Sequence, residues 1–200
     1  ADWAVSDLWS FKSVTAWRSM DYASHLDLDA TPLAVFGVYV DEDQHQFSQE
    51  FQLTYAGERL DAVAGVFYFD ESDLTYSGLL GPVISLVTGS INDQRNRSWA
   101  AYGQATWDLT ERLSLTAGMR YTYEDKDFRR TQTFYGPLTE PPARDDPGLL
   151  VTDIDTSESW DSWSPKLGLD YAVSDDVMAY VSVSRGFKSG GFDGRANDAS

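Results

Sequence analysis

Five charged side chains, Arg120, Glu124, Lys166, Arg185 and Lys188, stand on or at the ends of segments whose residues alternate strictly between apolar and polar. Guanidinium and ammonium groups in such places hold anions or pair with carboxylates of a neighbouring element, so the chemistry they offer is binding. Other candidates carry less. His25 and His45 lie among Asp27, Asp29, Asp41, Glu42 and Asp43, but their spacing matches no tight metal-ligand motif. Those carboxylates also lack the glycine and distal glutamate of a dedicated calcium loop. No serine nucleophile motif or glycine-rich phosphate loop appears, and carboxylate pairs in mobile segments have no desolvated pocket to separate their pKa values. There is no cysteine, hence no disulfide, thiolate ligand or thiol nucleophile. The reading is therefore of a protein that is not an enzyme, holds no metal centre and needs no cofactor.

The elements that position these charges are strands. Trp99, Ala101, Gly103, Ala105, Trp107 and Leu109 share one parity, and Ser98, Tyr102, Gln104, Thr106 and Asp108 the other. After Thr110, Glu111 and Arg112 the alternation resumes, with Leu113, Leu115, Ala117, Met119, Tyr121 and Tyr123 opposite Ser114, Thr116, Gly118, Arg120, Thr122 and Glu124. Successive strand side chains point to opposite faces, so this is a hairpin with one apolar and one polar surface. Its apolar surface has aromatic residues near the ends and small or aliphatic ones between, the profile of a wall in a lipid bilayer. Leu8–Met20, Phe47–Ala56, Leu60–Asp70, Trp163–Val173 and Val177–Ser184 read as further strands, although the parity of Leu60–Asp70 is not evident. Seven strands of roughly ten to thirteen residues approach the tilted membrane-spanning length. The connections after Ala56, Leu109 and Val173 are tight, whereas those from Asp21 to Gln46, Glu71 to Arg97 and Asp125 to Ser159 are long. Ser189–Ser200 opens a further long one. This alternation places every long connection at one end of the sheet, as in barrels with short periplasmic turns and long extracellular loops.

Composition agrees without deciding. A mean hydropathy of −0.38 and the lack of any run of about 18 apolar residues exclude a membrane-spanning helix but not a barrel, whose alternating strands average to polar values. Seven Trp and eleven Tyr suit interfacial girdles. A net charge of −17 argues against nucleic acid as a partner. The segment Leu79, Leu80, Val83, Ile84, Leu86 and Val87 around Gly81 and Pro82 is apolar inside a polar connection, and a small hairpin packed on its neighbours is expected there.

Several segments resemble those of a known family. Ser184-Arg185-Gly186-Phe187-Lys188-Ser189-Gly190-Gly191-Phe192 is similar to a strand-end signature of TonB-dependent outer-membrane receptors. So are Phe47-Ser48-Gln49-Glu50-Phe51-Gln52-Leu53, Ala64-Gly65-Val66-Phe67-Tyr68-Phe69, Tyr102-Gly103-Gln104-Ala105-Thr106 and Trp163-Ser164-Pro165-Lys166-Leu167-Gly168. The resemblance implies an all-β, antiparallel, up-and-down transmembrane barrel of about twenty-two strands closed around a plug domain. It implies energy-coupled uptake of a scarce nutrient, most commonly a ferric siderophore, across the outer membrane of a Gram-negative cell. Residues 1–200 would then be part of one barrel domain, with the plug, the TonB-contacting segment and the remaining strands outside this chain. The chain ends at Asn197, Asp198, Ala199 and Ser200 where an extracellular loop is expected. The implied partners are membrane lipid, the plug, the energy-coupling complex and the ferric chelate, which would be cargo and not cofactor.

On this reading Glu50, Gln52, Gln104, Arg120, Glu124 and Lys166 face the lumen, where they would contact the plug or line the substrate path. Arg120, Arg185 and Lys188, near the outer ends, are favoured for contact with an anionic chelate. A passive porin-like or structural barrel and a soluble all-β binding module remain as alternatives.

Overall fold

A computed structural model describes residues 1–32 and 35–195. They form one antiparallel sheet in which every strand pairs with its sequence neighbours: β1 (Asp2–Ala4), β2 (Trp9–Asp27), β3 (Gly37–Ala56), β4 (Leu60–Gly81), β5 (Leu86–Asp108), β6 (Leu113–Phe134), β7 (Leu149–Ser174) and β8 (Val177–Ser184). The sheet does not close, so among the described residues β1 and β8 each have a single neighbour. The seven expected strands are all present, and the three-residue β1 adds an eighth.

The strands are much longer than the alternation suggested. β3 to β7 run for 20 to 26 residues, because most of each long connection continues the ladder: Asp21 pairs with Asp43, Ser72 with Arg95 and Asp127 with Ser157. Only residues 28–36, 82–85 and 135–148 lie between strands at that end. The physical reason is that backbone pairing needs no apolar side chains. Where polar side chains stand on both faces of a sheet, the alternation that marks a half-buried strand disappears while its hydrogen bonds persist. The opposite end has the tight turns expected. Thr110 Oγ1 accepts from the Arg112 and Leu113 amides at 3.2 and 3.0 Å, closing the turn between β5 and β6.

Register carries the apolar face across the sheet. Phe51, Val66, Ala101, Tyr121 and Trp163 form one row; Leu53, Ala64, Gly103, Met119 and Pro165 form the next on that face. The parity of β4 is settled by this register, with Leu60, Ala62, Ala64, Val66 and Tyr68 on the apolar face and Val63, Gly65, Phe67 and Phe69 on the other. Edge aromatics touch across strands: Trp99–Tyr121 at 5.4 Å, Tyr121–Trp163 at 4.8 Å and Trp9–Tyr55 at 4.9 Å between ring centroids.

The belt has a constant height. Trp9 to Trp17, Phe47 to Tyr55, Leu60 to Tyr68, Trp99 to Trp107 and Trp163 to Tyr171 are each eight residues apart. Along a strand that is roughly 27 Å. The belt also slopes, since Trp163 lies level with Ser13, four residues short of Trp17 on β2. Four residues over five strand spacings is a slope of roughly 30°, close to the tilt of outer-membrane barrels. The slope reduces the belt to roughly 23 Å, the height of an outer-membrane hydrocarbon layer. Polar groups that enter the belt satisfy one another: Thr15 Oγ1 donates to Gln49 Oε1 at 2.5 Å, and Gln49 Nε2 donates to Ser13 Oγ at 3.0 Å.

Little of the chain is fully buried, and the buried residues cluster in the long strand extensions. The apolar segment at Leu79–Val87 is a hairpin closed by the 3-10 turn Pro82–Ile84. Its Leu80 and Val87 are buried under neighbours, as expected from the sequence. Beside it the connection 135–148 folds over the same face, where Tyr39 donates to Thr88 O at 2.8 Å and Tyr76 to Pro142 O at 2.8 Å. Burial, then the adjacent phenols of Tyr39 and Tyr135, push the Tyr76 hydroxyl far above its ordinary range, so it stays a neutral donor.

Candidate functional site

The polar face of the sheet, opposite the belt, holds the predicted charges in two groups. The first is level with the belt. Gln52, Gly65 and Tyr102 share a row, and the missing side chain at Gly65 lets the Tyr102 ring lean across β4. A Cβ there would lie 2.6 Å from the Tyr102 hydroxyl. That hydroxyl donates to Glu50 Oε1 at 2.6 Å, two strands away. The Arg120 guanidinium stands over the Tyr102 ring at 5.7 Å and the Phe67 ring at 5.9 Å, and its Nε donates to Thr122 Oγ1 at 3.1 Å. Two flat rings hold this cation without neutralising it, so its remaining donors stay available to an anion. Next along the face, Lys166 Nζ donates to Gln104 Oε1 at 3.2 Å.

The second group lies higher on the same face, above the level of Tyr121 and Tyr123. Lys126 Nζ meets Glu124 Oε1 at 3.0 Å and donates to Ser189 Oγ at 3.0 Å and Gly190 O at 2.8 Å, while Ser189 Oγ donates to the same Glu124 oxygen at 2.8 Å. The Lys126 ammonium also stands 5.6 Å from the Trp160 ring. Phe192 stacks on Phe128 at 5.3 Å and tilts against Trp160 at 6.5 Å. These contacts fold residues 185–195 back from β8 across the polar face of β7, β6 and β5, where Gly194 reaches Asn92. Gly190 is required at the crossing, since a Cβ would approach Trp160 to 2.7 Å. The segment expected to open an outward loop at Ser189 thus lines the polar face through Arg195. Asn197–Ser200 lie outside the described residues.

Of the five singled-out charges, the structure gives Glu124 a dense set of partners, pairs Lys166 with a neutral amide and holds Arg120 between rings. Arg185 and Lys188 are exposed on the crossing segment, and their side chains have no ion pair or hydrogen bond among the described residues. Lys126, Trp160, Phe128 and Tyr102 were not singled out. The signal for the first three was parity: continuing the even positions of β6 past Glu124 reaches Lys126 and Phe128, and continuing those of β7 back from Ser164 reaches Trp160. His25 and His45 stay apart in the ladder, facing Tyr39 and Ser19. Among the described residues no group of three or more His, Asp or Glu is arranged to hold a metal ion.

With this geometry in place, the chain can be set beside known proteins. A family model described as TonB dependent receptor-like, beta-barrel matches residues 1–199. The pesticin receptor of Yersinia pestis is 22% identical over 190 residues, which are 94% of this chain and 25% of that protein. The crystal structure of the ferric yersiniabactin uptake receptor FyuA from Yersinia pestis superposes with a TM-score of 0.72 at 19% identity, covering 89% of this chain and 26% of that one. The copper transporter OprC superposes with a TM-score of 0.68 at 13% identity, covering 90% of this chain and 29% of that one. The chain spans about a quarter of the length of the relatives it matches.

Proposed function

Because the chain belongs to the TonB-dependent receptor family of β-barrels, we propose that it serves energy-coupled import of a ferric siderophore. It is a section of the barrel wall of a Gram-negative outer-membrane protein, in a family of receptors and not of enzymes. The observation that carries the reading is the eight-residue belt repeated from strand to strand on one face with charged and aromatic groups on the other. A wall of that kind separates lipid from a polar passage.

The rest follows from what the inner face offers. Arg120, Lys166, Arg185 and Lys188 supply cations along a passage that an anionic chelate would enter, and the aromatic rings of Phe67, Tyr102 and Trp160 supply flat surfaces for its organic part. The ferric reading draws support from FyuA, named for ferric yersiniabactin uptake. Glu50 and Glu124, each engaged by neighbours, serve as structural links and as contacts for a plug domain that fills the lumen. That plug, and the segment through which the energy-coupling partner moves it, belong to the longer protein.

A strain lacking the full-length receptor gene, supplied with radiolabelled iron on different siderophores, tests this directly. Loss of uptake of one ferric siderophore, restored by the wild-type gene only when TonB is present, is the expected result. Undiminished iron uptake on every siderophore contradicts the ferric reading. Uptake that persists without TonB points to a passive pore. Arg120→Ala in the restored gene is expected to lower uptake about tenfold while surface abundance of the receptor stays unchanged.

A further inference from the structure

The wall is uneven above the belt. β7 runs from Leu149 to Ser174, but β8 pairs with it only as far as Lys166 and Ser184, and the last rung is the Arg185 amide donating to Pro165 O at 3.0 Å. Beyond that rung the chain leaves the ladder and crosses the inner face, where Phe192 meets Phe128 and Trp160. The place beside β7 from Leu149 to Ser164 is therefore open among the described residues, because the continuation of β8 itself turns inward. A strand following β8 would run two spacings, ~10 Å, from β7, and would reach this edge only by shifting sideways by a whole strand.

The open edge offers backbone groups in a regular row. In an antiparallel ladder, successive residues point their N–H and C=O groups to opposite neighbours. Ala172 donates to Arg112 O, so the even positions of β7 serve β6, whereas Pro165 accepts from Arg185, so the odd positions face the open side. Asp153, Asp155, Ser157, Ser159, Asp161 and Trp163 thus present unpaired backbone groups along the edge, a template for strand addition. The side chains there carry one sign. Asp153, Asp155, Glu158 and Asp161 are exposed, and no Lys or Arg lies between Leu149 and Ser164. Among the described residues only Asp153 of these four has an ion pair, a loose one to Arg129 at 4.0 Å, since Lys126, level with Glu158, is engaged by Glu124. Two copies of the chain joined at this edge would set carboxylates against carboxylates.

We propose that the open edge of β7 docks an extended, basic polypeptide segment from outside the cell, added to the sheet as one more strand. Its backbone pairs with the odd positions from Asp153 to Trp163. Its basic side chains lie on the outward face beside Asp153, Asp155 and Asp161, and its apolar ones on the inner face beside Ile154 and Trp160. The site uses backbone groups of the wall that neither the belt nor the inner-face charges employ.

The test uses the full-length receptor in phosphatidylcholine nanodiscs and two fluorescent peptides, one alternating Lys and Val and one alternating Glu and Val, with binding read by anisotropy. The wild type is expected to bind the Lys peptide at least about tenfold more tightly than the Glu peptide. Ser157→Pro with Ser159→Pro removes two amides that β6 does not use, so the melting temperature should hold while affinity for the Lys peptide falls about tenfold. Asp155→Lys with Asp161→Lys, which leaves the backbone of the edge intact, should reverse the preference between the peptides. Equal binding of the two peptides by the wild type, undiminished binding by the proline variant, or an unaltered preference in the charge-reversed one overturns the proposal. Slow amide hydrogen exchange at Ser157 and Ser159 in the receptor without peptide also overturns it. At every receptor concentration such protection marks a strand of the longer protein already in place, and protection that grows with concentration marks a second copy.

Discussion

The Glu50 carboxylate is held by a phenol that crosses an intervening strand, and this single contact shows how closely the inner face is fitted. Tyr102→Phe removes the donor to Glu50 Oε1 and leaves a partly buried carboxylate short of one hydrogen bond, at a cost of about 1.5–3 kcal/mol. The melting temperature of the full-length receptor in detergent should fall by a few degrees; an unchanged value would mean that water replaces the phenol freely. Gly190→Val is the matching experiment for the upper group. Its added carbons would displace Trp160, so residues 185–195 should leave the inner face and proteolysis within them should accelerate severalfold. Of this scale the sequence revealed sides more readily than partners. Glu50, Arg120, Glu124 and Lys166 all fall on the polar parity, which alternation alone reveals. The Tyr102–Glu50 and Lys126–Ser189 contacts depend on register and on a chain reversal after Ser184, neither of which leaves a periodic trace.

Each strand is two elements in series, a belt segment that the bilayer selects and an extension that it does not. The belt segments were legible because lipid on one side and water on the other impose period two. The extensions were read as loops because charged residues such as Asp21, Glu42, Asp43, Glu71, Asp73, Asp125 and Asp127 stand on both of their faces, yet they pair in the same ladder. Their tips have their own fastenings. Asp29 accepts from the Thr31 hydroxyl and amide and from the Val35 and Phe36 amides. Those hydrogen bonds, the Thr31 hydroxyl first, hold its carboxyl at about 2 against an ordinary 3.8. A depressed carboxyl contributes stability that is whole above its unfolded pKa and lost as pH falls through the folded value. The fastening between β2 and β3 should therefore be intact at neutral pH and loosen between about pH 4 and pH 2. Asp29→Asn at neutral pH should reproduce the loosening, read as faster hydrogen exchange at the Phe36 amide than in wild type. Equal exchange in the two proteins would show that the carboxylate does not hold this connection.

At the scale of the molecule, the belt of constant height and common slope is the strongest constraint. Five strands repeat the same eight-residue spacing, aromatic at both ends on four of them and running from Leu60 to Tyr68 on β4, and hydrogen bonding along the ladder does not demand it. A hydrocarbon layer of fixed thickness crossed at a fixed tilt does. Fold and orientation were thus legible from sequence, whereas the inward fold of residues 185–195 and the open edge of β7 emerged from the three-dimensional register. The chain contains no cysteine, so single cysteines introduced at successive positions from Ser98 to Asp108 of the full-length receptor, with any cysteine elsewhere in it replaced by serine and each carrying a nitroxide label in a lipid bilayer, can report their surroundings one by one. Odd positions, from Trp99 to Trp107, should be accessible to dissolved oxygen and protected from a water-soluble nickel chelate, and even positions should show the reverse. Accessibility without period two, or nickel access at Ala101, Gly103 and Ala105, would contradict a lipid-facing wall.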